Sequence, residues 1–391
     1  MPDTYDGREQ AFIKHELLKS YLQKLFLIIG MSARRSGKIE LCYVDCFAGP
    51  WVDKTEKLEG TSIAVSLKTL ETCRQKLGMN GISAKIRALY VEKDPAAHNR
   101  LAQYLDGNTP SGIKANCKHG DFVALQQEIL NWCGPDAFAF FFIDPMGWRA
   151  IGIETLRPLL QRARSEFLVN FMYDFINRTA SMLDWQEEIA ELLGERVMLE
   201  SMTPSERETK LLSTYRQNLK RCVPIANPIY YARSAYVRVL DPTRERPKYH
   251  LVYLTSHPQG IIEFMEISEH VDLVQKRVRA HKKAQKREQQ TGVADMFSSE
   301  TFVDASEGHA SPDDVDRFWI EYLKEGVRQI GRAEFAEILE RTDWFPGDLQ
   351  ASLVRLIKSG VVRNLDMKGK RPKRPLHFED NERLQLLESG K

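Results

Sequence analysis

Leu41-Cys42-Tyr43-Val44-Asp45-Cys46-Phe47-Ala48-Gly49-Pro50 runs from an apolar, strand-like segment into a carboxylate and then at once into small residues. That order builds a nucleotide-type cofactor site at the carboxyl end of a parallel strand, where the backbone must come close to a ligand. A second apolar run, Ala137 to Ile143, ends in Asp144-Pro145-Met146-Gly147-Trp148 and repeats the logic of strand, carboxylate and tight turn.

Outward from these two runs the chain alternates. Apolar residues at three- and four-residue spacing (Phe12, Leu17, Leu18, Tyr21, Leu22, Leu25, Phe26) predict an amphipathic helix over 9–32. Strands are expected at 41–45, 88–92, 137–143 and 167–172, with helices at 61–77, 95–105 and 153–162 between them. Such alternation implies a parallel sheet with right-handed crossovers. Residues 181–220 look helical and sit where a target-recognition insertion belongs. Two β-rich runs, Tyr230 to Leu240 and Tyr249 to Ser256, flank the polar turn Asp241-Pro242-Thr243-Arg244-Glu245-Arg246-Pro247-Lys248 and predict an antiparallel hairpin. A mostly parallel sheet closed by an antiparallel hairpin is the Rossmann-like sheet of class I methyltransferases rather than the all-parallel dinucleotide fold. It favours S-adenosylmethionine over a nicotinamide.

Composition bounds the rest. The chain has 391 residues, too many for one ordinary domain, with 56 Lys+Arg against 54 Asp+Glu and a formal charge of only +2, so the whole molecule is not a polycation. Its first residues, MPDTYDGREQ, carry no basic-then-apolar signal and no apolar run is long enough to span a bilayer, so a cytoplasmic protein is expected. The six cysteines form no CxxC pair, which argues against a zinc site and a disulfide framework. Domains are expected at 1–270 and 315–391, joined by a linker at 271–314 that is first basic and then acidic. In the linker, Lys276, Arg277, Arg279, Lys282 and Lys283 are candidates for nucleic-acid phosphates. After Val315, three helical patterns precede two short strands, 361–366 and 375–378. These strands flank a basic loop with Lys370, Arg371, Lys373 and Arg374, as in a winged helix-turn-helix.

The chemistry-bearing residues fall in an order. Gly49 allows backbone approach to a cofactor, with Asp45 and Phe47 beside it. Glu92, ending a strand, suits two ribose hydroxyls, and Gly120-Asp121-Phe122 suits an adenine amino group and its ring face. Gly60-Thr61-Ser62 opens a helix, with plain N-capping the favoured role. Asp144 and Pro145 suit an acceptor amine, with Trp148 supplying a ring to stack on a flipped base. Lys14 and His15 on the first helix could approach a site, with a solvated helix face the favoured reading.

These stations resemble the three-Cys-motif partner family, TcmP: Lys14-His15, Tyr43 to Pro50, Val91 to Asp94, Gly120-Asp121, Ile143 to Gly147 and Asn170-Phe171. The similarity spans roughly the first two thirds of the chain. It implies a class I methyltransferase-like fold encoded beside a radical-cofactor-like protein with a three-cysteine motif, in bacterial systems acting on nucleic acid. One departure stands out: where the family continues Ala-Gly-Pro-Gly, this chain has Trp51.

Two functions follow. One is an S-adenosylmethionine-dependent methyltransferase acting on nucleic acid, with Asp144 orienting an acceptor amine and Asp45, Gly49, Glu92 and Asp121 holding cofactor. The alternative is a catalytically inactive methyltransferase-fold subunit that binds nucleic acid or a partner protein, which Trp51 favours. A nicotinamide oxidoreductase lacks its GxGxxG, and no Walker loop or Gly-x-Ser-x-Gly elbow occurs.

Overall fold

A computed structural model describes residues 5, 7–49, 60–180, 182–225, 230–244, 246–291 and 309–387. Pro50 and Trp51, with whatever they do to the cofactor loop, lie outside the described residues. The chain divides into two units, Met1–Ser256 and His257–Lys391. The basic run 276–287, expected in a linker, belongs to a helix of the second unit.

In the first unit the order is α1 (Glu9–Ser32), β1 (Lys38–Asp45), α2 (Ser62–Met79), β2 (Ser83–Glu92), α3 (Pro95–Asn108), β3 (Ile113–His119), α4 (Phe122–Cys133), β4 (Phe138–Ile143), α5 (Ile153–Leu160), β5 (Ser165–Phe171), α6 (Tyr173–Thr179), α7 (Gln186–Leu193), α8 (Pro204–Cys222), β6 (Arg233–Leu240) and β7 (Pro247–Thr255). The seven strands form one sheet in the order β3-β2-β1-β4-β5-β7-β6. β1 to β5 are mutually parallel, β7 is antiparallel to β5, and β6 pairs antiparallel with β7. This mostly parallel sheet with flanking helices fits the Rossmann-like methyltransferase fold.

The strands read as they do because the sheet is covered on both sides. β4, Phe-Ala-Phe-Phe-Phe-Ile, is buried at every position, as a central parallel strand must be. On one face Tyr21 and Phe26 of α1 pack on Phe140 and Phe138. On the other, Val44, Phe141, Phe167 and Val169 meet Leu156, Leu193, Leu211 and Tyr215 from α5, α7 and α8. β3 was not foreseen, because it is an edge strand with one fully buried position in Ile-Lys-Ala-Asn-Cys-Lys-His and shows no apolar run.

A polar cluster lies within this core. Glu166 on β5 is 5% exposed and accepts hydrogen bonds from the hydroxyls of Tyr21 (3.1 Å), Tyr253 (2.6 Å) and Thr255 (2.8 Å). Burial pushes its carboxyl above the usual range while the three hydroxyls pull it back.

The second unit comprises α9 (Pro258–Thr291), α10 (Pro312–Leu323), β8 (Arg328–Ile330), α11 (Arg332–Thr342), α12 (Pro346–Lys358), β9 (Val362–Asn364) and β10 (Glu382–Leu386). Its sheet has the order β8-β10-β9, antiparallel throughout. The strand expected at 375–378 is irregular chain, and β10 takes its place further on. The N–H of Leu376 goes to the Gln350 side chain (3.1 Å) and that of His377 to Glu382 (2.7 Å), so neither is left for a ladder. No helix among the described residues is long and apolar enough to cross a membrane.

Removing one hydroxyl from the Glu166 cluster leaves a buried acceptor short of a donor. Tyr253→Phe is expected to lower stability by about 1–3 kcal/mol in urea unfolding at neutral pH.

Candidate functional site

The sheet order creates the site. β1 has β2 on one side and β4 on the other, so the connections leaving β1 and β4 diverge and open a crevice at the carboxyl ends of the strands. Backbone bonds hold the rim: Cys46 N–H donates to Phe142 O, Ala48 N–H to Val91 O and Gly120 N–H to Glu92 O, each at 2.9 Å. Gly120 adopts φ +146°, a region L side chains rarely enter, and thereby turns the chain from β3 toward α4.

A cavity of about 570 Å³ opens there. Gly49, Glu92, Asp121, Phe122 and Pro145, read from four separate segments of sequence, all line it, as do Phe47 and Trp148. Glu92 is 8% exposed and accepts from the Asp94 N–H at 2.7 Å. A Cβ on Gly49 would lie 1.7 Å from Glu92 Oε2, so a side chain there would have to displace this carboxylate. Asp121 caps α4 by accepting from Val123 N–H (2.9 Å) and pairs with Lys93 (2.9 Å), which holds its carboxyl below the usual range. Phe122 packs on Phe47 with ring centroids 5.0 Å apart.

Of the far wall, Trp148 was expected as a ring at the site and its aromatic neighbours were not. Trp148 stands edge-on to Phe175 (5.4 Å, 90°) and tilted on Trp185 (5.6 Å, 55°), with Met172 completing the lining. The only sequence signal for Phe175 and Trp185 was their position after the fifth parallel strand.

Three expected roles change. Asp45 does not line the cavity. It is fully buried behind the wall, accepting from Phe47 N–H (3.2 Å) and Ser62 Oγ (2.7 Å), so it shapes the loop from within. Thr61 caps α2 through Ala64 N–H as expected, but Ser62 turns inward to that carboxylate. Lys14 and His15 are not on a solvated face. His15 is 6% exposed, 2.9 Å from the Tyr5 hydroxyl, and its pKa drops to about 3 through burial and the neighbouring Lys14, which keeps it neutral. Lys14 pairs with Asp144, whose Oδ1 also accepts from Asn170 Nδ2 at 2.7 Å. Both Asp144 oxygens are thus already engaged by the protein, each with a further lone pair left to accept.

In the second unit Lys276 and Arg279 are 6% and 5% exposed, and Lys276 pairs with Asp272 at 2.7 Å. Positions 272, 275, 276 and 279 share one helical face that packs inward, a spacing effect that a charge run conceals. Arg277 and Lys283 are exposed and Lys282 is half-buried. Around the loop, Lys370 and Lys373 are exposed, Arg371 pairs with Glu382 (2.5 Å), and Arg374 pairs with Glu379 while lying over the Phe378 ring.

Burial pushes the Asp45 carboxyl from 3.8 up to about 7, against the pull of Ser62 and Phe47. The folded state therefore holds a proton that the unfolded chain releases. Its stability is greatest below the unfolded value and falls as pH rises between 3.8 and about 7, by on the order of 4 kcal/mol. Asp45→Asn is expected to flatten that slope and to be the more stable protein at pH 8, measured by urea unfolding at pH 4, 6 and 8.

No protein-family model matches the chain, and no curated protein matches it in sequence. Among solved structures, a putative methyltransferase yhhF from Escherichia coli matches at 12% identity with a TM-score of 0.26, covering 60% of this chain and 86% of its own. A precorrin-6y C5,15-methyltransferase from Geobacter metallireducens GS-15 matches at 15% identity with a TM-score of 0.25, covering 58% and 86%. The sheet order and the crevice, not these distant matches, bear on function.

Proposed function

We propose that the first unit is an S-adenosylmethionine-dependent methyltransferase and that its substrate is nucleic acid. One observation carries the cofactor assignment: Gly49, Glu92, Asp121, Phe122 and Pro145 line a single cavity at the carboxyl edge of a sheet in methyltransferase order. Acids and aromatics in that arrangement suit an adenosine. Glu92 accepts from ribose hydroxyls, and Asp121 from the adenine amino group. Phe47 and Phe122 pack on the ring, and Gly49 brings backbone N–H groups close. A side chain at Gly49 would push the Glu92 carboxylate out of its place. When bound, S-adenosylmethionine supplies an electrophilic methyl group. The protein supplies the pocket, and Asp144, adjacent to the lining Pro145, marks the acceptor position.

Support for nucleic acid comes from the second unit, taken as a winged helix-turn-helix: α10, α11 and α12 followed by an antiparallel pair around a loop bearing exposed Lys370 and Lys373. Arg277 and Lys283 on α9 add phosphate-facing charge. Lys276 and Arg279, being buried, do not belong to that set. The resemblance to the TcmP family supports a bacterial setting with a three-Cys-motif protein as partner.

Calorimetric titration with S-adenosylmethionine and S-adenosylhomocysteine tests the cofactor site. Saturable binding is expected for the wild type. Glu92→Ala with Asp121→Ala should weaken it by about a hundredfold, the loss of two charge-assisted hydrogen bonds. Gly49→Val should abolish it with the circular dichroism spectrum unchanged. Absence of binding by well-folded wild type would reject the assignment.

A further inference from the structure

Asp144 directly follows β4, next to the cavity-lining Pro145 and in the company of a cation. Its Oδ2 is engaged by the Lys14 ammonium and its Oδ1 by Asn170 Nδ2. The pair is 16% and 17% exposed, so it is reached from solvent yet largely shielded from it. The Tyr249 ring lies 5.8 Å from Lys14 Nζ and covers one side. Asn170 is 5% exposed, and its Oδ1 accepts no hydrogen bond among the described residues.

These groups define what an acceptor must offer. Lys14 brings three N–H donors and no acceptor, whereas Asp144 accepts only. An exocyclic base amine, its lone pair conjugated into the ring, satisfies the carboxylate but presents nothing to the ammonium. A hydroxyl does both, its oxygen accepting from Lys14 while its O–H donates to Asp144. Resting on the cofactor assignment above, we infer that the acceptor is a hydroxyl and, on nucleic acid, the ribose 2′-hydroxyl, which makes the substrate RNA. In the transfer the oxygen forms the new bond to the methyl carbon as the carbon–sulfur pair returns to sulfur, giving a neutral thioether. The hydroxyl proton passes to the Asp144 carboxylate and on to water. Lys14, donating to the oxygen, stabilises the negative charge growing there.

The test begins without cofactor. Fluorescence anisotropy compares one single-stranded oligonucleotide sequence made as RNA, as 2′-deoxy and as 2′-O-methyl. RNA is expected to bind about tenfold more tightly than the other two. The preference should vanish in Lys14→Met, survive in part in Lys14→Arg, and leave S-adenosylmethionine binding unchanged in both. With cofactor present, digestion of total bacterial RNA should release 2′-O-methylnucleosides. Equal binding of RNA and DNA forms, methylation on base nitrogen, or cofactor binding with no transfer to RNA would each overturn the hydroxyl assignment while the cofactor site stands. Failure to bind cofactor would remove both.

Discussion

Parallel pairing of β1 between β2 and β4 is the constraint on which the first unit turns. Because β1 connects on toward β2 and β4 toward β5, their connections leave in opposite directions and the crevice between the two carboxyl ends stays open. The uncovered end must satisfy its backbone by other means. It does so with the three rim bonds from Cys46, Ala48 and Gly120, which tie the loops after β1 and β3 to neighbouring strands. Those bonds bring the side chains of several distant segments around one cavity.

Two carboxylates at that edge are treated in opposite ways. Asp45, which accepts from one hydroxyl and one N–H among the described residues, is pushed by burial toward its neutral form and acts as a polar brace under the loop. Asp144 stays partly exposed beside a lysine and an amide that order both its oxygens. A buried brace at the last residue of β1 and a charge-paired acid one residue beyond β4 give a rigid floor and a polar edge, the division a binding and transfer site requires.

The second unit illustrates a different economy of charge. Along α9 some basic side chains run inward, with Lys276 paired and Arg279 buried, while Arg277 and Lys283 face water. Around the loop before β10, Arg371 is committed to Glu382, an acid that also receives Asn364 and the His377 N–H. Of the nine basic residues that look like one surface, Lys276, Arg279 and Arg371 are therefore drawn inward.

The sequence by itself determined the alternation of strands and helices, the antiparallel closure of the sheet, and the positions of Gly49, Glu92, Asp121 and Pro145 on the crevice. These are legible because a buried parallel strand leaves a continuous apolar run and its carboxyl end leaves a carboxylate beside a glycine. What only the tertiary structure decided depends on contacts between distant residues. β3, a polar edge strand, has no periodic signature. The Trp148, Phe175 and Trp185 wall joins two connections, and β10 replaces the expected 375–378 strand because side chains take the N–H groups of Leu376 and His377. Lys14 meets Asp144 across 130 positions of chain. Spacing along a helix reports which residues share a face, but which face turns inward, and which charge finds a partner there, is settled only by packing.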